Sequence, residues 1–297
     1  MTSADQLKPW IFMLGLGVTG MLSPAHAETD SVLSLSVNSH SNIPNALAEP
    51  NVFGDNFADV NYRINRYFVT SPGNRLSIGA ELGARQYLRT QGLESILAGL
   101  NLAYSHRAGL GPYAPRFNVG LSLNRVEFSE SLRDSWVRLL SLSVSKRLTP
   151  EWLLNMGVNS RQRHAQPDDN LIFNPRFGSD VFTQHSQEFT ARLEYTLLNA
   201  SAVTIGYRYR QGEIDASSRP GTPLLNITKA IARDAGIGKD YVTYLLNADT
   251  QGLSLDWNIP LARDTGLTLG FERLLSRANQ GNKYFNNNLR AEFNVRF

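Results

Sequence analysis

Twelve arginines share one phase of a two-residue alternation whose other phase is apolar: Arg63, Arg85, Arg107, Arg116, Arg147, Arg161, Arg163, Arg192, Arg208, Arg210, Arg290 and Arg296. Seven acids occupy the same phase: Asp59, Glu81, Glu188, Glu194, Asp256, Glu272 and Glu292. Guanidinium groups gathered on one face bind carboxylate, phosphate or sulfate through paired N–H donors, and a field of them concentrates anions. Arginine–acid pairing across strands would instead neutralise the charge and fill the interior with a satisfied polar core. The residue types admit both outcomes.

Other chemistry is sparse. His40-Ser41-Asn42 and His185-Ser186 set a base beside a hydroxyl. Adjacent side chains on a strand point to opposite faces, so a His-x-Ser spacing is what a base and nucleophile need, and none occurs. Nothing else suggests an enzyme. Cysteine is absent, which removes thiol nucleophiles, disulfides and cysteine metal sites. Asp168-Asp169-Asn170 and Asp180 offer oxygens to a hard cation, but their spacing fits no metal-loop pattern. There is no phosphate loop, dinucleotide fingerprint or helix-borne histidine pair, so no cofactor and no metal is expected. A net charge of +3, spread along the chain, excludes a nucleic-acid stripe.

Positioning so many charges on one phase requires strands. In the final thirteen residues, Leu289, Ala291, Phe293, Val295 and Phe297 fall on one face and Asn288, Arg290, Glu292, Asn294 and Arg296 on the other. Oil on one side and water on the other asks for that pattern. The clearest earlier runs are Leu76–Ala84, Ile96–Tyr104, Phe117–Leu123, Leu140–Val144, Trp152–Val158, Phe189–Leu197, Val203–Tyr209, Leu253–Ile259 and Leu267–Phe271. Leu33–Val37 and Ala58–Ile64 form a fainter first hairpin. Twelve strands result, joined alternately by tight turns and longer connections. The architecture expected is all-β: an antiparallel up-and-down transmembrane barrel. Twelve strands give a backbone diameter of roughly 24 Å and a bore of roughly 10 Å once side chains fill it.

Aromatic residues mark both rims: Phe68, Trp152, Trp257 and Phe297 near the tight turns, Trp136 and Tyr209 near the long connections. Such girdles sit at lipid–water boundaries. The longest connection, 215–247, contains Asn226–Gly236, which reads as a short helix with Ile227, Ala230, Ile231 and Ala235 on one face. It would either plug the bore or lie on the surface.

Residues 1–27 carry Lys8, an apolar run from Trp10 to Leu22, and Ala25-His26-Ala27, the pattern of a cleaved export signal. The run is too short for a transmembrane helix, which needs roughly 20 residues. Residues 28–297 then form one domain.

With this signal, the alternating strands and the terminal Phe293-Asn-Val-Arg-Phe297, the chain resembles Gram-negative outer-membrane β-barrel proteins. The resemblance implies residence in outer-membrane lipid, export across the inner membrane and both termini in the periplasm. It also implies recognition of the Phe297 end by the barrel assembly machinery. Twelve-stranded members include solute channels, a lipid hydrolase and autotransporter translocators. About three residues between Ala27 and the first strand leave no room for a passenger or a lumen-spanning helix. The function expected is a channel or conduit for small anionic solutes or an exported acidic chain. The alternative is a non-conducting barrel serving as outer-membrane partner in an envelope complex.

Overall fold

The computed structural model describes residues 27–166, 179–220, 228, 230–278 and 281–297. The expected export signal up to residue 26 and Asp168–Asn170 lie outside these residues. The strands are β1 (Ala27–His40), β2 (Asp55–Ser71), β3 (Asn74–Tyr87), β4 (Ser95–Arg107), β5 (Arg116–Phe128), β6 (Ser135–Arg147) and β7 (Trp152–Ala165). They continue with β8 (Gln184–Thr196), β9 (Ala202–Ser218), β10 (Ile231–Arg233), β11 (Val242–Ala262), β12 (Thr265–Ala278) and β13 (Lys283–Arg296).

All but the short β10 form one closed antiparallel barrel of twelve strands in chain order. The seam joins first strand to last: Leu35 faces Val60 of β2 on one side and Phe293 of β13 on the other. Phe297 and Ser31 exchange backbone hydrogen bonds at its end. Closure pairs the free edges of the first and last strands with each other, as hydrocarbon demands. The twelve strands expected from the alternation are these twelve, faint first hairpin included.

Five short connections lie at one end of the barrel together with the start of β1 and the end of β13. The other six connections, including the three longest, lie at the other end. The two ends are called here the turn end and the loop end.

One phase of every barrel strand forms the outer surface. Val37, Val60, Leu82, Leu100, Leu121, Leu142, Val158, Ile205, Leu255 and Leu289 are all exposed on it, and they ring the barrel. A continuous apolar girdle far exceeds the few hundred Å² that a water-soluble monomer leaves uncovered. The other phase faces the lumen. One cavity is bordered by this phase from strands as far apart as β2 (Asp59) and β7 (Arg161).

β9 and β11 overshoot their neighbours. The ladder with β8 ends at Ser186–Gly212, and that with β12 ends at Ala248–Ala278. Beyond these points, residues 213–218 and 242–247 pair with each other as a two-stranded ribbon. Six residues span about 20 Å, close to the barrel diameter. Where Asn226–Gly236 was expected to be helical, Ile231–Arg233 is instead strand β10, paired with Val242–Tyr244. Above Ala248 that edge of β11 has lost β12, and its backbone groups need partners. Residues 221–227 and 229 lie outside the described residues.

Candidate functional site: a basic lumen under a latched hairpin

Five of the twelve phase-sharing arginines meet carboxylates. Arg85 grips Asp59 with Nε and Nη2 at 2.6 and 3.1 Å. Arg63 does the same to Glu81 at 3.3 and 3.0 Å, and Asn61 adds a 2.8 Å bond to that acid. Arg208 lies between Glu188 and Glu272, Arg290 between Asp256 and Glu292, and Arg296 meets Asp30 at 3.3 Å.

The other seven, Arg107, Arg116, Arg147, Arg161, Arg163, Arg192 and Arg210, have no carboxylate within 4.0 Å among the described residues. Arg107 and Arg147 donate to the carbonyls of Gly111 and Pro150 at the turn end. Arg163 donates to Ser135 Oγ at 3.0 Å and to the Arg133 carbonyl at 2.7 Å. Arg210 donates to the Glu213 carbonyl at 2.8 Å. Four of the seven, Arg161, Arg163, Arg192 and Arg210, lie on the neighbouring strands β7, β8 and β9 and make one wall of the lumen basic. Glu194, on β8 near the turn end, forms no ion pair among the described residues.

The loop end is covered by the β9–β11 ribbon. Ile237 beyond β10 packs against Phe57, Tyr87 and Leu93 of the β2–β3 side. β3 stands six strands from β9, so the ribbon reaches the opposite wall. On the way it meets the connections from other strand pairs. Ser217 N donates to the Pro44 carbonyl, and Asn45 Nδ2 to the Asp215 carbonyl at 3.1 Å. Gly92 approaches Gly236 so closely that a Cβ on Gly92 would lie 2.4 Å from the Gly236 Cα. The ribbon has a dry face, where Ile214, Ala216, Tyr244 and Leu246 pack with Ile231, Ala278 and Tyr284.

Arg133, in the short connection from β5 to β6, fastens the other face. Its Nε and Nη2 donate to the two Asp234 oxygens at 3.3 and 2.7 Å, and its Nη1 to Asp215 Oδ2 at 3.1 Å. The guanidinium lies 4.4 Å from the centre of the Phe182 ring. Ser217 and Thr243 hydroxyls complete the shell of the fully buried Asp234. Burial alone would pull the Arg133 pKa down, but Asp234 and Asp215 hold it above its ordinary value. Burial likewise pushes Asp215 up, yet Arg133, Arg163 and the Gln184 amide outweigh it and hold that carboxyl at about 2. Arg133, Asp215 and Asp234 went unmarked by strand alternation because they lie beyond the lipid-crossing part of each strand.

Phe68, Trp152 and Trp257 lie on the outward phase toward the turn end, with Trp152 and Tyr195 rings 4.7 Å apart, and Phe297 ends the seam. Trp136 and Tyr209 lie toward the loop end, where the Tyr209 hydroxyl donates to Asp249 at 3.2 Å.

Neither His–Ser pair makes a catalytic contact. Ser41 Oγ is held by Asn286 and Asn287 of β13, while the His40 ring packs edge-on against Phe57. His185 faces the His164 ring at 5.7 Å. Among the described residues no three His, Cys, Asp or Glu side chains gather as metal ligands would.

A closed twelve-stranded antiparallel barrel, apolar outside and polar within, is the architecture of outer-membrane β-barrel proteins. An outer membrane channel from Pseudomonas putida F1 shares the fold at a TM-score of 0.55 and 12% identity, over 90% of this chain and 95% of that one. The beta domain of the Bordetella autotransporter BrkA aligns at 0.45 and 10% identity, over 90% and 98%. An anion-selective porin from Comamonas acidovorans aligns at 0.41 and 6%, over 92% and 99%. No protein-family model and no curated protein sequence matches the chain.

Proposed function

We propose that this protein is an outer-membrane channel for small anionic solutes, closed at its loop end in the present conformation by the β9–β11 ribbon. The observation that carries the reading is the surplus of lumen charge: seven arginines lack a carboxylate partner among the described residues. Unpaired guanidinium groups in a narrow polar bore attract anions and repel cations. The shared fold with a solved outer membrane channel supports the conducting role. A covered mouth suits small solutes better than a long acidic chain. The N-terminal segment 1–27 serves export, the turn end with both termini faces the periplasm, and Phe297 engages the assembly machinery.

Purified protein reconstituted in planar bilayers under a potassium chloride gradient tests this. A reversal potential of the sign set by chloride is expected. Replacing Arg161, Arg192 and Arg210 together by Gln should cut the anion preference several-fold. A cation preference in the parent protein would overturn the reading.

The latched ribbon favours a second reading, a non-conducting barrel that partners an envelope complex. That reading requires the bore to stay silent even when the latch is broken, and stable co-purification of an envelope protein.

A further inference from the structure

Beneath the ribbon the lumen holds a cavity of about 360 Å³, and its wall is not uniformly polar. Leu97 of β4, Val126 and Phe128 of β5 and Val137 of β6 turn inward side by side, on a phase that elsewhere is mostly charged, amide, hydroxyl or Gly. On β7 the next inward residues are Arg163, directly opposite Val137, and Arg161. The Arg163 guanidinium is spent on Ser135 and the Arg133 carbonyl, and it lies 5.3 Å from the Phe128 ring. Arg161 is exposed to the cavity and has neither a carboxylate nor a hydrogen-bond partner among the described residues. Asp59 and Glu81 border the far side, and each is already held by its own arginine.

We propose that this cavity binds an amphiphilic organic anion, a carboxylate carried on an aromatic ring or short alkyl body. The inference rests on the channel reading above and names the solute class. Apolar side chains facing water in a bore are stabilised when the apolar body of a solute covers them. An unpaired guanidinium beside them offers a planar two-donor fork that matches a carboxylate. The body would lie against Phe128, Val126 and Val137 and the carboxylate would meet Arg161. The volume sits at the small end of ligand sites, which suits a single ring rather than a chain of sugars. Chloride, phosphate and acetate could use only the arginine, and a cation of the same body only the apolar wall.

Isothermal titration of the folded full-length protein in lipid nanodiscs tests the site with benzoate, acetate and benzylammonium as probes. Benzoate should bind at least tenfold more tightly than either of the other two. Arg161→Gln and Val137→Asn should each weaken benzoate at least tenfold. Heat-modified gel migration checks that both variants remain folded, and Arg161→Lys should restore part of the loss. Benzoate binding no tighter than acetate, or unchanged in Arg161→Gln, would overturn the proposal. The reversal potential measured on the same preparation separates the two ideas. Anion-selective conductance without benzoate preference refutes the site and keeps the channel. Benzoate binding through Arg161 in a protein that never conducts keeps the site and refutes the channel.

Discussion

Arg133 and Asp234, 101 residues apart in sequence, meet through two hydrogen bonds in a fully buried setting. One comes from the connection between β5 and β6, the other from the ribbon that crosses the mouth. A buried ion pair adds little net stability over a well-packed apolar replacement, but removing one partner leaves the other charge stranded and costs about 3–5 kcal/mol. The pair therefore acts on position: it makes the crossed ribbon much lower in energy than one slightly displaced.

Arg133→Ala should release the ribbon while leaving the barrel intact, because Asp234 cannot stay dry alone. The open fraction should rise roughly a hundredfold or more for a loss of that size. Limited proteolysis of residues 219–241 should accelerate, and single-channel recordings should show longer open times. Unchanged cleavage and silent bilayers would show that the ribbon holds without the latch.

Acid should loosen the same ribbon through Asp215. Its carboxyl is held at about 2 when docked, against 3.8 when free. A depressed value means that docking gains stability from the ionised group above about pH 4, and loses it as pH falls through 4 toward 2. The contribution is on the order of 2 kcal/mol. Arg133, Arg163 and Gln184 surround the group, and none of them titrates in that window. Channel opening of the parent protein should therefore increase between pH 4 and pH 2. Asp215→Asn should flatten that response and raise the opening at neutral pH.

Gly212 marks where β9 leaves the wall. Its φ is +149°, and a Cβ there would lie 2.3 Å from the His185 carbonyl oxygen. Gly212→Val should then shift the base of the ribbon and undo its docking. Ribbon cleavage should rise as in Arg133→Ala, although no charge has changed.

Barrel and lumen were legible because two solvents write themselves into alternate residues: Leu100 and Asn101, neighbours on β4, face oil and water. The ribbon was also written, in a form that strand counting overlooks. In β9 the apolar phase runs through Ile205, Tyr207 and Tyr209, then reverses to Ile214 and Ala216. In β11 it runs through Tyr244 and Leu246, then reverses to Leu253 and Leu255. A reversal of phase is where a strand leaves lipid and begins to bury its other face. The helix expected at 226–236 failed because spacing alone cannot see the open edge of β11 that recruits Ile231–Arg233. The Arg133 latch joins three connections distant in sequence, and nothing local announces it.

The paired positions Leu100 and Asn101 give the plainest test of the two-solvent wall. Leu100 leaves 66% of its surface uncovered on the outer face, between Ala80 and Leu123 in register, while Asn101 points inward beside Gly79 and Ser122. Arg at the lipid-facing midplane of a barrel costs about 2–4 kcal/mol, whereas a lumen position keeps it in water. Leu100→Arg should therefore lower the urea midpoint of the barrel refolded in lipid vesicles, by an amount matching that penalty. Asn101→Arg should leave the midpoint nearly unchanged and, by adding a cation to the bore, should strengthen anion preference. The same substitution one residue apart thus separates stability from selectivity. Equal destabilisation at both sites would mean that the girdle meets water rather than lipid.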